Sequence, residues 1–166
     1  KNHSGPRVVI GGPPCQAYSL VGRARNLGTA GYSAEKDHRH FLYREYLKVL
    51  ALMEPEVFVM ENVKGILSSS VNKQKIFPQI LDDLKQPSKA LNKRGGHGYR
   101  IYSLVSEPDT IEASSEPVYR DGSEYIIRSE NFGIPQMRHR VILVAPDYDG
   151  EEESDPDIIR IPGRTV

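Results

Sequence analysis

The stretch VFVMENV, residues 57–63, is a continuous apolar run that ends in the polar pair Glu61 and Asn62. A short run of this kind, bounded by turn residues, is typical of a buried β-strand. Before it, apolar residues recur at helical spacing and Pro55 ends the segment, which predicts a helix over residues 39–53. The residues of that pattern are Leu42, Tyr46, Leu47, Val49, Leu50 and Met53.

Two more segments, one before the predicted helix and one after the predicted strand, continue the alternation of strands and helices. Residues 7–10 are short, β-branched and stopped by Gly-Gly-Pro-Pro, which predicts another buried strand. After residue 63, Phe77, Ile80, Leu81 and Leu84 mark a second amphipathic helix. An order of strand, helix, strand and helix favours an α/β fold with a parallel sheet.

The remaining segments are less regular. Residues 99–106 (YRIYSLVS) and 140–146 (RVILVAP) are predicted to form a third and a fourth strand. The glycine-rich residues 17–36 are expected to form a long mobile loop, and residues 107–125 a loop or a hairpin.

Composition limits the class of protein. The chain has 166 residues, of which 38% are hydrophobic and 27% charged, as expected for one globular domain. It has one cysteine, no apolar stretch long enough to cross a bilayer and no signal-peptide pattern, so a cytoplasmic protein is expected. Seven of its 22 acidic residues lie between Asp147 and Asp157, which leaves the preceding part mildly basic and compatible with contact to phosphates.

Polar side chains follow two of the predicted strands. Cys15 comes directly after the first, and Glu61 ends the second. The carboxyl ends of parallel strands meet at one crevice, so both are expected there. Gln136, Arg138 and Arg140 are spaced by two residues and share a face if that segment is extended.

Each signal has a plainer explanation when taken alone. A lone cysteine is more often structural than catalytic, a Glu-Asn pair can cap a helix, and arginines on a strand can be solvated. The histidines of DHRH (37–40) do not face each other on a helix, so no metal site is predicted. The segment RGGHG (94–98) is interpreted as a turn.

Taken together, GGPPCQAYS (11–19), MENVKG (60–65) and GIPQMRHRVIL (133–143) resemble, in this order, the motifs of the DNA (cytosine-5)-methyltransferases. The resemblance implies part of a Rossmann-like, S-adenosylmethionine-dependent methyltransferase sheet with flanking helices. It implies that Cys15 is the nucleophile, that Glu61 contacts the target cytosine, and that Arg138 and Arg140 supply guanidinium groups to its pocket.

Other positions follow from the same resemblance. Asn62 matches a residue that supports the cysteine loop, and Pro14, Gln16, Ser19 and Gln136 match substrate-binding positions. Leu42 matches a position near the adenine of the cofactor, although a core leucine explains it equally well. Tyr18 departs from the phenylalanine that is usual in the family, a change expected to be tolerated.

These residue types suit the chemistry. A thiolate must add to carbon 6 of cytosine before carbon 5 can attack a sulfonium methyl group. A carboxyl group at ring nitrogen 3, the task expected of Glu61, can share a proton as charge develops. Arg140 can bind the ring carbonyl and hold Glu61 in place, and a nearby guanidinium group favours the thiolate. The base must first leave the duplex, and residues 17–31 are the candidate lid.

The resemblance also predicts what the 166 residues lack. The family's glycine-rich cofactor loop and acidic ribose ligand precede its Pro-Cys motif, and its target-recognition region follows the Arg-x-Arg strand. No Phe-x-Gly-x-Gly segment is present. Residues 1–146 are therefore expected to be the central catalytic part of a methyltransferase domain with its N-terminal cofactor-binding strands missing, and residues 147–166 an acidic loop leading toward an absent recognition region.

The expected partners are double-stranded DNA and the missing parts of the same enzyme or a complementary chain, with no membrane. In a bacterium the enzyme is expected at the nucleoid, as part of a restriction-modification or related system. Two alternatives stay open: methylation of transfer RNA by a branch of the family with the same motifs, and a noncatalytic remnant that binds a partner. The intact Cys15, Glu61, Arg138 and Arg140 disfavour the remnant.

Overall fold

Strand β2 (Val57–Val63) lies at the centre of the main sheet, between β1 (Val8–Gly11) and β9 (His139–Tyr148). The structure, a computed structural model, describes residues 5–14, 39–71, 74–111 and 116–148. Two short strands, β5 (Gly98–Tyr99) and β8 (Ile126–Arg128), pair with β9 on the side away from β2. Two further two-stranded pairs are β3 (Ser70–Val71) with β4 (Gln74–Lys75), and β6 (Thr110–Ile111) with β7 (Pro117–Val118).

The two predicted helices are confirmed as α1 (Arg39–Met53) and α2 (Phe77–Lys85), and a short α3 (Pro87–Ala90) follows. The buried stripe of α1 is Tyr43, Tyr46, Leu47 and Leu50, the spacing expected for one helix face. Val49 and Met53, which belong to the apolar pattern in the sequence, are exposed. Helix α2 buries Phe77, Ile80 and Leu84, and Pro78 lies in its first turn, where proline is tolerated.

A single core joins the helices to one face of the sheet. Strand β2 alternates, with Phe58, Met60 and Asn62 buried and its other residues half-buried. Phe58 packs edge-on against Tyr46 and Tyr99, with ring centroids 6.3 and 4.9 Å apart. The buried tyrosine hydroxyls donate to backbone carbonyls, Tyr46 to Val59 and Tyr99 to Pro55, so their burial leaves no polar group unsatisfied. The core residues are Tyr43, Tyr46, Leu47, Leu50, Phe58, Met60, Ile66, Phe77, Ile80, Leu84, Tyr99, Ile101, Tyr125, Ile126, Val141, Leu143 and Ala145.

The predicted parallel sheet is confirmed for β1 and β2 and is wrong for β9. Strands β1 and β2 pair in parallel, with Val8 opposite Val57, and α1 lies in the crossover between them. Strand β9 runs antiparallel to β2 and to β8. The physical reason is the connection: residues 129–138 return the chain from β8, which runs in the same direction as β2, and such a return makes β9 antiparallel to both strands.

The prediction that the first strand is buried is also wrong. Val8 and Ile10 are 53% and 76% exposed, while Val9 packs against the core. Among the described strands β1 pairs only with β2, so it is an edge strand with one face on the core. Its start is held by Arg7, whose backbone N–H donates to Glu56 Oε2 at 2.6 Å.

The predicted third strand is shorter than residues 99–106. Beyond β5, only an isolated bridge between Tyr102 and Val144 continues the pairing with β9. The Ser103 hydroxyl oxygen accepts from the backbone N–H groups of Val105 and Ser106, which turns the chain away from the sheet.

Within residues 107–125, β6 and β7 form the predicted hairpin, and a 3-10 helix, Gly122–Tyr125, follows it. The fourth predicted strand is confirmed as β9, one residue longer at its start and two at its end than predicted.

Two further predictions concern segments that the structure does not describe. The expected mobile loop, residues 17–36, lies outside the described residues, as does most of the acidic segment 147–166. In the described ranges, no helix combines the length and the apolar character needed to cross a bilayer.

Candidate active site

Glu61 and Arg140 meet at the carboxyl end of β2. In the antiparallel register Val63 lies opposite Arg140, so Glu61 is the diagonal neighbour of Arg140 on the same face of the sheet. Arg140 Nε lies 2.7 Å from Glu61 Oε1. That N–H does not meet hydrogen-bond geometry toward the carboxylate, so the contact is a charge pair. The Glu61 side chain is 43% exposed and that of Arg140 22%, which leaves the carboxylate open to a ligand.

Two neighbours position this charge pair. Arg140 Nη1 donates to the carbonyl of His139 at 2.8 Å, which orients the guanidinium group. On the other side, a Cβ atom added at Gly12 would lie 3.0 Å from Glu61 Oε2. A residue with a side chain at position 12 would therefore crowd the carboxylate, and the Gly-Gly pair serves a close approach as well as a turn.

Asn62 ties the end of β2 to the segment that leads to Cys15. Its buried side-chain amide donates to the carbonyl of Pro13 at 3.1 Å, and its side-chain oxygen accepts from the backbone N–H of Val63 at 2.9 Å. This contact agrees with the prediction that Asn62 supports the cysteine loop. Pro13 is buried and Pro14 exposed, and Pro14 is the last described residue before Cys15.

Gln136 and Arg138 precede the strand that carries Arg140. Strand β9 begins at His139, so the three residues do not share one strand face. Instead the backbone N–H of Gln136 bonds to Ile134 and that of Arg138 to Gln136, which makes two consecutive tight turns. Both residues are exposed, and Glu61 has its described ion pair with Arg140 rather than with Arg138.

Of the other predicted site residues, the structure describes Leu42 but not those that follow Pro14. Cys15, Gln16 and Ser19 lie outside the described residues. Leu42, in the first turn of α1, is 43% exposed, so the alternative of a core leucine is wrong. Within the described parts of the chain no three His, Cys, Asp or Glu side chains are grouped to hold a metal ion.

Sequence reasoning missed a contact beside Arg140. His139 Nε2 lies 2.6 Å from Glu130 Oε1, and both side chains are partly buried. The backbone N–H of Glu130 and the His139 ring, in that order, lower the pKa of the Glu130 carboxyl. The sequence holds only a weak signal for this pair, because a glutamate nine residues before a histidine is common.

The described arrangement offers both hydrogen-bond donors and acceptors to a polar ligand. A carboxyl group and a guanidinium group lie side by side at a strand end, and both are partly exposed. Asn62, the residue after Glu61 on β2, holds the backbone that leads to Cys15, because its side-chain amide donates to the carbonyl of Pro13.

Comparison with known proteins agrees with this geometry. A sequence profile of the family described as C-5 cytosine-specific DNA methylase matches residues 3–88. The chain is 35% identical over 136 residues to the Type II methyltransferase M.Bpa9945I of Bacillus paralicheniformis, covering 82% of this chain and 24% of that protein. It is 32% identical over 137 residues to the Type II methyltransferase M.AquIA of Picosynechococcus, covering 82% of this chain and 42% of that protein.

A third relative is named as an enzyme that acts on DNA cytosine. The DNA (cytosine-5-)-methyltransferase M.ApeKI of Aeropyrum pernix is 30% identical over 137 residues, covering 82% of this chain and 26% of that protein. The chain thus spans about a quarter to two fifths of the length of these relatives. On the family match over residues 3–88, which contain Cys15 and Glu61, the chain belongs to the C-5 cytosine-specific DNA methylase family.

Proposed function

We propose that the protein transfers a methyl group from S-adenosylmethionine to carbon 5 of a cytosine in DNA, through a covalent adduct with Cys15. The observation that carries the proposal is the Glu61–Arg140 charge pair at the end of β2, next to the Asn62 contact that holds the backbone before Cys15. Three named relatives that are methyltransferases, one of them of DNA cytosine, support the same reaction.

In this proposal the Cys15 thiolate adds to carbon 6 of the cytosine ring. The new carbon–sulfur bond pushes the ring electrons toward carbon 5, which then attacks an electrophilic methyl group as the bond from that methyl group to its sulfonium sulfur breaks and a neutral thioether leaves. Loss of the proton from carbon 5 returns an electron pair to the ring and expels the thiolate. A thiolate is needed at the first step, and a nearby guanidinium group favours that form over the thiol.

Glu61 and Arg140 act on the ring rather than on the methyl group. A carboxylic acid at ring nitrogen 3 donates a hydrogen bond or a proton as negative charge develops there during addition of the thiolate. Arg140 holds the Glu61 carboxyl through Nε and keeps guanidinium N–H groups for the ring carbonyl. Such a pair, partly exposed, contributes only about 0–1 kcal/mol to stability. Its role is therefore orientation.

S-adenosylmethionine, when bound, supplies the methyl group as a sulfonium. In the described part of the chain an exposed apolar side chain, Leu42, suits one face of an adenine ring, and the backbone near Pro14 is accessible. These contacts fit the cofactor but are few. We place the main binding segment outside the 166 residues, because they contain no Phe-x-Gly-x-Gly segment.

The substrate in this proposal is double-stranded DNA, from which the target base is flipped out before reaction. The printed name of one relative specifies DNA cytosine, and two are named Type II methyltransferases, which supports DNA over transfer RNA and a place in a restriction-modification system. Action on DNA also requires the protein to be located with the nucleoid in a bacterial cell.

Trapping with 5-fluorocytosine tests the proposal. In duplex DNA carrying this base at the recognition site, fluorine blocks the final elimination, so the full-length enzyme with S-adenosylmethionine is expected to form a stable adduct that migrates slowly on a denaturing gel. Cys15→Ala is expected to abolish it. A matched duplex with unmodified cytosine is the control, and an adduct formed by the alanine variant would show that Cys15 is not the nucleophile.

A second experiment tests the placement of the cofactor site. The 166-residue chain alone is expected neither to bind S-adenosylmethionine measurably by calorimetry nor to transfer tritiated methyl groups, because the few contacts from Leu42 and Pro14 do not offset the entropy lost on binding. Tight binding by this chain would place the cofactor site within it. Activity that appears only on mixing with a second chain would indicate a split enzyme.

A further inference from the structure

We propose that Glu130 and His139 form a positioning pair that orients Arg140 toward Glu61. The inference rests on the proposed function, since it assigns a role in that same site. Neither residue carries one of the chemical roles described above. The contact that suggests the role is the 2.6 Å approach of His139 Nε2 to Glu130 Oε1, directly beside Arg140 in the chain.

The first step of the argument is that the pair closes the return from β8 to β9. Arg128 and His139 are opposite each other in the register of these strands. Between them, the backbone N–H and the hydroxyl of Ser129 both donate to the carbonyl of Arg138, at 3.3 and 2.6 Å. The Glu130–His139 contact adds a side-chain bond across the same closure, so three interactions hold the start of β9.

The second step is that the position of His139 decides the direction of the Arg140 guanidinium group. The His139 carbonyl accepts from Arg140 Nη1 at 2.8 Å, while Nε of the same guanidinium lies 2.7 Å from Glu61 Oε1. The guanidinium group is rigid and planar, so anchoring one nitrogen on His139 constrains where the other nitrogens lie. A shift of the His139 backbone therefore moves the contact with Glu61.

The third step concerns why the pair is present at all. Glu130 Oε2 is buried and has no hydrogen-bond partner in the described structure, which is unfavourable for a carboxylate. A partly exposed ion pair contributes little to the stability of a fold. The geometry of the pair, across the closure between β8 and β9, suits holding one backbone segment in place.

The chain offers a matched control at the far end of the same strand. His97 Nδ1 lies 3.2 Å from Asp147 Oδ2, another histidine–carboxylate pair on β9, but next to β5 and away from Glu61. Replacing either of these pairs removes the same chemical interaction from the same strand. Only the Glu130–His139 pair is expected to affect the reaction.

The test compares Glu130→Ala, Glu130→Gln and His139→Ala with His97→Ala and Asp147→Ala in the full-length enzyme. For Glu130→Ala and His139→Ala, kcat for methyl transfer is expected to fall about tenfold to a hundredfold, the scale of a misplaced catalytic group, with KM for DNA within twofold. Glu130→Gln keeps an acceptor oxygen and is expected to recover most of kcat. The two control variants are expected to keep the wild-type kcat.

A double-variant cycle separates positioning from general stability. If Glu130 acts through Arg140, Glu130→Ala causes no further loss of kcat in an enzyme that already carries Arg140→Ala. Fully additive losses, or an equal fall of kcat in Asp147→Ala, would overturn the inference. Thermal unfolding of each variant ensures that only folded protein is compared.

A spectroscopic readout keeps this inference distinct from the proposed function. The Nε–H resonance of Arg140, assigned by its loss in Arg140→Lys, is expected to shift in Glu130→Ala and in Glu61→Gln but not in Asp147→Ala. If the wild-type enzyme transfers no methyl group, the proposed function fails and this resonance alone decides the positioning role. If methyl transfer is normal and the resonance does not move in Glu130→Ala, the positioning role fails alone.

Discussion

Glu61 and Arg140 are diagonal neighbours on two antiparallel strands, and their side chains meet at 2.7 Å on the half-exposed face of the sheet. The two residues are 79 positions apart in the chain. They meet because β9 pairs with β2 along its whole length, from Val57 opposite Pro146 to Val63 opposite Arg140. Every step of register between these strands therefore matters to the proposed chemistry.

Replacing Glu61 with glutamine is expected to lower methyl transfer by about a hundredfold to ten-thousandfold, the usual range for loss of a general acid. DNA binding is expected to persist, because the amide keeps the size of the carboxyl group. Single-turnover transfer and a gel-shift titration measure the two quantities. Glu45→Gln, which alters an exposed pair with Lys48 on α1, is the matched control. Near-normal turnover of Glu61→Gln would remove Glu61 from the mechanism.

Replacing Asn62 with alanine is expected to destabilise the protein by about 1–3 kcal/mol, since the carbonyl of Pro13 then loses its buried donor. The segment before Cys15 also loses its tie to β2, so the rate of trapping by 5-fluorocytosine is expected to fall. Urea unfolding and trapping kinetics measure these effects. Asn131→Ala, at an exposed position, is the control and is expected to change neither stability nor the trapping rate. Unchanged stability in Asn62→Ala would contradict the importance of the Asn62–Pro13 hydrogen bond.

Replacing Gly11 with alanine is expected to destabilise the fold by about 1–3 kcal/mol, as overpacking of a core usually does. The added Cβ would overlap Tyr46 Cε2 and lie 3.0 Å from Tyr46 Cδ2. That ring cannot move freely, because it is buried and its hydroxyl donates to the carbonyl of Val59. Gly5→Ala meets nothing within 4 Å and is the control for thermal unfolding. Equal melting temperatures for the two variants would contradict the close approach.

Glu56 is expected to make stability depend on acid pH. The backbone N–H of Arg7, the largest cause, holds the pKa of the Glu56 carboxyl below its ordinary value of 4.5. A lowered folded pKa gives stability that is present above pH 4.5 and is lost as pH falls through the folded value. The urea midpoints of wild type and Glu56→Gln are therefore expected to converge below about pH 4.5.

A substitution of Arg7 checks the cause of that dependence. Arg7→Gln keeps the backbone N–H, which bonds to Glu56 Oε2 at 2.6 Å, and removes the side-chain contacts at 3.3–3.4 Å. Most of the acid dependence is expected to remain in this variant. If Arg7→Gln abolishes it, the guanidinium group rather than the backbone lowers the pKa of Glu56.

Local pattern was enough to predict several elements from the sequence. The bounds of α1 and of β2 agree with the prediction because apolar periodicity and Pro55 act within a few residues of each other. For residues 107–125 the turn residues predict a loop or a hairpin, and the antiparallel pairing of β6 with β7 is the hairpin. The residue types and the motif order predict that Arg140 holds Glu61 in place, and the structure has the two side chains 2.7 Å apart.

Tertiary structure alone decided the direction of β9, the exposure of β1 and the start of β9 at His139, which leaves Arg138 before the strand. Strand direction depends on how the chain returns from β8, and exposure depends on which face of the sheet a helix covers; neither quantity has a local period. The Glu130–His139 contact likewise depends on the closure at Ser129 and Arg138. The sequence by itself determined most of the segments that form elements and named the candidate residues of the site, because those follow from short-range patterns and motifs, whereas pairing across strands depends on register.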